Sequence, residues 1–113
     1  MTKPPHVVRV MGQRFTVSQR TELTVEDVHG NQIEGCIGVC DVNSNTIGIV
    51  STLGPERERE TLLHECLHAI SSKMGYTLER SDDEDEALVK RMAPILLDFL
   101  RSNPRVIAYL VER

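Results

Sequence analysis

His64-Glu65-Cys66-Leu67-His68 sets two histidines four residues apart, with a glutamate directly after the first. Positions four apart stand one turn apart on the same face of a helix. Both imidazoles can then reach a single metal ion, and zinc is the ion that suits them. Glu65 lies about 100° around the helix axis from His64. It stands beside the metal without being an obvious ligand, placed to take a proton from a metal-bound water. By chance this pattern should arise in roughly one chain in several hundred. The competing account is an amphipathic helix whose polar face happens to hold two histidines.

A catalytic zinc takes three ligands from protein and keeps one position open. No histidine follows His68, so the third ligand has to be a carboxylate, a cysteine, or one of the earlier histidines, His6 and His29. Residues 82–86 read Asp-Asp-Glu-Asp-Glu and supply five candidates. Asp82 and Asp83 are explained by the helix dipole, and Glu84 by a capping box with Ser81. Asp85 is close in phase to the buried stripe of that helix. Glu86 lies one turn in, at the flank of the stripe, with no capping role. Helical phase favours Glu86 without settling the choice.

The remaining reactive residues read more plainly. His6 and His29 are expected on the surface or in a turn. Tyr76 and Tyr109 are candidates to steady the oxyanion of a tetrahedral intermediate, with packing as the alternative role. Cys36, Cys40 and Cys66 are an odd number, and the start of the chain lacks the apolar run of a secretory signal, so free thiols in a reducing cytoplasm are expected. Cys36 and Cys40 fall in one expected strand, ~13 Å apart, too far for a disulfide. Cys-x3-Cys is a weak signal for a shared metal site, and Cys66 reads as a small core residue. The run 57–60, Arg-Glu-Arg-Glu, reads as a solvated helix face.

The elements that must position these residues change period halfway along the chain. Short β-rich runs occupy 6–10, 14–17 and 22–28, with a turn at 29–31. Runs 33–42 and 46–51, separated by Asn43-Ser44-Asn45, predict an antiparallel hairpin. Gly54-Pro55 then opens a helix predicted over 56–74, with Leu63, Cys66, Leu67, Ile70 and Met74 as its buried stripe. A second helix opens at Ser81, with Leu88, Met92, Ile95, Leu96 and Phe99 as its stripe; Pro94 should kink or divide it near Ala93. Asn103-Pro104 starts a last helix over 105–111. Strands first and helices after predict an α+β fold, its small antiparallel sheet packed on the active-site helix and a following glutamate helix.

The chain has 113 residues, 40% hydrophobic, with a net charge of −4, so one domain over 1–113 is expected. No apolar run reaches the ~18 residues of a membrane helix. Mild acidity and the near absence of aromatics argue against nucleic-acid contact. A cytoplasmic monomer is the expectation.

Two segments together carry a family resemblance: Leu62-Leu63-His64-Glu65-Cys66-Leu67-His68-Ala69, and, eighteen residues after His68, Glu86-Ala87-Leu88-Val89-Lys90-Arg91-Met92-Ala93-Pro94. Over about residues 46–97 the chain resembles the small gluzincin-type metallopeptidases, including the ImmA/IrrE-like and phage-encoded peptidases. The resemblance implies a zincin-like arrangement with Zn2+ on His64, His68 and Glu86, and Glu65 as the catalytic base. It also implies that an edge strand at the position of 46–50 runs beside the substrate backbone. Leu88 stands where the family has Asn, and the 113 residues carry no appended DNA-binding or sensor domain.

Three readings follow. The first is a minimal zinc metallopeptidase, an endopeptidase rather than an exopeptidase, acting on a protein or peptide. The second is a zinc-stabilised protein-binding or regulatory module without catalysis. The third is a plain α+β domain with a chance motif.

Overall fold

The structure is a computed structural model that describes residues 3–23, 25–26, 32–33, 36–74 and 82–112. Strands β1 (Val7–Val10) and β2 (Gln13–Arg20) form a hairpin. Its two-residue turn, Met11 and Gly12, has φ of 50° and 76°. Left-handed backbone at both turn positions matches the twist of the flanking strands, and glycine adopts it without penalty. Strands β3 (Val25–Glu26) and β4 (Gln32–Ile33) make a separate antiparallel pair. The expected turn at 29–31 lies outside the described residues.

Strand β5 (Gly38–Asp41) pairs antiparallel with β6 (Thr46–Val50), as the turn residues predict. Asp41 Oδ1 accepts the backbone N–H groups of Asn43 and Ser44, at 2.9 and 3.3 Å, and so holds the turn. Strand order in the four-stranded sheet is β1-β2-β6-β5. Two expectations need correction here. The β2–β6 pair is parallel, so the sheet is mixed rather than antiparallel. And β6 is an inner strand, with β5 at the sheet edge, so 46–50 is not an edge strand.

The inner position of β6 follows from its side chains. Ile47 and Ile49 have no exposed surface and join Phe15, Val17, Val10 and Ala69 in the main core. On the other face, a Cβ added at Gly48 would sit 3.1 Å from both Leu23 and Val39. A strand covered on both faces belongs inside a sheet.

Three helices follow among the described residues: α1 (Pro55–Lys73), α2 (Asp82–Ser102) and α3 (Pro104–Val111). Pro55 stands in the first turn of α1, beside Glu56 and Glu58 at the positive end of its dipole. Helix α1 packs against β5, β6 and β1 on one side and α2 on the other. Its burial therefore departs from a single stripe: Thr61, Glu65, Leu67, Ala69 and Ser71 are buried, whereas Ile70 and Met74 are exposed. The stripe of α2 is also turned from its expected phase. Asp85, Val89 and Ala93 are buried, with Leu96 packed beside them, while Met92, Ile95 and Phe99 are exposed. Spacings of four, four and three keep that row in line. No helix among the described residues is long and apolar enough to cross a membrane.

Pro94 lies inside α2 and does not divide it. It is solvent-exposed, and the missing N–H leaves one helical bond unmade. Replacing Pro94 by Ala should therefore stabilise the chain by about 1–3 kcal/mol. The measurement is the urea midpoint at unchanged m-value. A lower midpoint would mean that Pro94 helps to seat Ala93 and Leu96 on α1.

Candidate metal centre

His64 and His68 project from one face of α1, and the N-terminal part of α2 brings Glu86 to them. His64 Nε2 lies 3.2 Å from His68 Nε2. Glu86 reaches both rings, with Oε1 3.0 Å from His64 Nε2 and Oε2 2.6 Å from His68 Nε2. One ligand atom from each of the three residues lies within 4.8 Å of the others, and the group could hold a metal ion. A tetrahedral ion with ligand bonds of 2.0–2.1 Å separates its ligands by about 3.4 Å. The Nε2–Nε2 separation of 3.2 Å is close to that edge, while the two Glu86 contacts, made by different oxygens, are shorter.

Proton counting leaves room for a cation. His68 Nδ1 lies 2.8 Å from Asp85 Oδ2, so His68 has a carboxylate oxygen at each ring nitrogen. A neutral imidazole carries one N–H and can satisfy only one of them. The Nε2 side, where His64 Nε2 also converges, calls for a second proton or a cation.

Glu65 faces the sheet side of the same groove. It is buried, and burial pushes its carboxyl up to about 7; the charge of Glu86 adds to this and that of His68 opposes it. Its position depends on Gly38 in β5. A Cβ at residue 38 would lie 2.7 Å from both Glu65 Oε2 and Thr61 Cγ2. The absent side chain lets strand and helix approach closely enough to enclose the carboxylate.

The groove has a volume of about 1150 Å³. One wall is β5 and the residues before it, including Cys36 and Cys40; the other is α1, with Asp85, Glu86 and Lys90 from α2. Burial raises the Cys40 thiol to about 12 and the Cys66 thiol to about 11, with the nearby Glu65 charge adding to each. Both are poor thiolate sources. All three cysteines are free.

The structure brings together His64, Glu65, His68 and Glu86, and it separates other candidates from them. Tyr109 is 76% exposed on α3 and does not line the groove. His6 is exposed and its carbonyl accepts Val17 N–H at 2.8 Å, extending the β1–β2 ladder. Tyr76, His29 and Ser81 lie outside the described residues. Glu84 is exposed and is not part of the groove lining. Arg57 and Glu60 are exposed, as the solvated-face reading predicts, and they also line the groove.

Two contributors carried only a general signal in the sequence, Asp85 as one of five ligand candidates and Gly38 as a strand glycine that can mark a bulge or a close backbone approach. Gly38 is one of three glycines in the 33–51 run, and only its distance to Glu65 singles it out. Asp85 carried a signal, its phase on the apolar stripe, but its partners Ser71 and His68 come from another helix.

Comparison with family models, curated proteins and solved structures finds no match for this chain. The chemistry of the groove therefore rests on its own geometry.

Gly38→Ala tests that geometry directly. The added methyl should cost about 1–3 kcal/mol, because Glu65 and Thr61 both have to move. Thr61→Ser removes one of the two clashing atoms and should recover part of the loss in a double mutant, read by denaturant unfolding. Unchanged stability in Gly38→Ala would show that β5 and α1 are further apart than described.

Proposed function

We propose that this chain is a minimal zinc metallopeptidase with a zincin-like arrangement, similar to the gluzincin-type peptidases, that cleaves polypeptide in the groove between β5 and α1. The observation that carries the reading is the convergence of ligand atoms of His64, His68 and Glu86 within 4.8 Å of one another, with the buried Glu65 side chain on the same groove. Two imidazole nitrogens and one carboxylate oxygen are a zinc donor set, and they leave a fourth position open. Bound there, zinc would polarise a carbonyl and make water more acidic.

The chain's own residues do the rest. Glu65 takes a proton from the attacking water and delivers it to the departing amine. A carboxyl pushed up to about 7 by burial is suited to both transfers near neutral pH. The substrate backbone lies along β5, which pairs on one side only among the described residues, so its outer N–H and C=O groups are available for strand pairing. Arg57 and Glu60 stand further along the groove, on the α1 wall.

Metal analysis of the purified chain should find one zinc per molecule. Glu65→Gln should keep the zinc and reduce hydrolysis of an unfolded protein by about 10²–10⁴-fold. Chelator competition should show Glu86→Gln losing more than about 100-fold in zinc affinity and Glu84→Gln nearly none, since the two positions diverge by about 200° around the helix. Equal hydrolysis by wild type and Glu65→Gln would overturn the peptidase reading and leave zinc as a structural staple of a binding module.

A further inference from the structure

We propose that Asp85, held by Ser71, is a positioning residue that locks His68 in one tautomer, with its proton on Nδ1 and its Nε2 lone pair turned to the metal. The inference rests on the metal centre proposed above and assigns a role to a residue outside the ligand set.

Asp85 sits within a run of five acidic residues, yet its side chain is only 6% exposed. Acids at a helix N-terminus can interact with the dipole while staying in water, so the dipole alone does not require burial. A buried carboxylate is costly unless its oxygens are satisfied. Both oxygens of Asp85 are engaged: Oδ2 lies 2.8 Å from His68 Nδ1, and Oδ1 accepts the hydroxyl of Ser71, itself buried. Ser71 follows His68 by three residues, so the two share a face of α1 and meet the same carboxylate.

The direction of the proton follows. Asp85 is an acceptor toward Nδ1, so the single proton of a neutral ring belongs there. That leaves Nε2, 2.6 Å from Glu86 and 3.2 Å from His64 Nε2, as the free lone pair. Consecutive residues of α2 thus act on opposite sides of one imidazole: Asp85 behind the ring and Glu86 in front. His64 has no comparable partner at Nδ1 among the described residues. His68 is the oriented ligand of the pair, with a carboxylate behind its ring at Nδ1.

The test uses the full chain loaded with zinc, comparing wild type with Asp85→Asn and Ser71→Ala. Zinc affinity by chelator competition should fall about 10–100-fold in Asp85→Asn, and by a smaller factor in Ser71→Ala. Nitrogen-15 NMR of the wild-type histidine rings should show His68 protonated at Nδ1 and metallated at Nε2. This spectrum does not depend on any variant folding. Metal on His68 Nδ1, or a folded Asp85→Asn with wild-type zinc affinity, would overturn the inference while the metal centre stands. A wild-type chain that takes up no zinc would overturn the metal centre itself, and this inference with it.

Discussion

Helix α1 is covered on two sides at once, and that burial sets the geometry of the groove. The sheet takes one flank through Phe15, Ile47, Ile49 and Ala69, and α2 takes another through Leu67, Val89 and Ala93. The strip of α1 left between these contacts carries His64 and His68. Because packed interiors resist displacement, the two apolar clusters fix the helix that carries the rings. The same arrangement explains why α1 lacks one dominant apolar stripe: a helix with two neighbours divides its apolar residues between them.

Charge is concentrated where that packing leaves a gap. Glu65, Asp85 and Glu86 all stand near the two imidazoles, in a chain whose net charge is already −4. Two of the three carboxylates are buried. Buried charges of like sign are tolerated when a cation or a set of hydrogen bonds balances them. Asp85 has Ser71 and His68 for that purpose, whereas Glu65 is shifted toward its protonated form by burial. The carboxylates and imidazoles of the groove thus converge where His64, His68 and Glu86 could hold a metal ion.

Close approach of backbone to side chain completes the enclosure. Gly38 allows β5 to lie against Glu65 and Thr61, and β5 at the sheet edge gives the groove its second wall. Away from the groove lining, Glu56 is paired with Arg101 at 2.9 and 3.1 Å, tying the start of α1 to the end of α2. The arginine beside it holds the Glu56 carboxyl below the usual carboxylate range. This contact is solvent-exposed, and it serves registration of the helices more than stability.

Local signals determined a good part of this protein. The spacing of His64 and His68, the Gly54-Pro55 helix start and the Asn43-Ser44-Asn45 turn act over a few residues, so the α+β order and the pairing of β5 with β6 were legible without coordinates. The sequence also narrowed the third member of the cluster to a short acidic run, because a helix repeat of 3.6 residues separates neighbouring side chains by known angles. Tertiary structure decided the rest. The parallel β2–β6 pair joins residues thirty apart, and no local pattern distinguishes an inner strand from an edge one until both of its faces are covered. Pro94 keeps its place in α2 because packing of Val89, Ala93 and Leu96 outweighs one lost hydrogen bond. Which acid turns inward at 85 and which reaches the rings at 86 depends on the rotation of α2 against α1, and only the fit of the two apolar faces sets that angle.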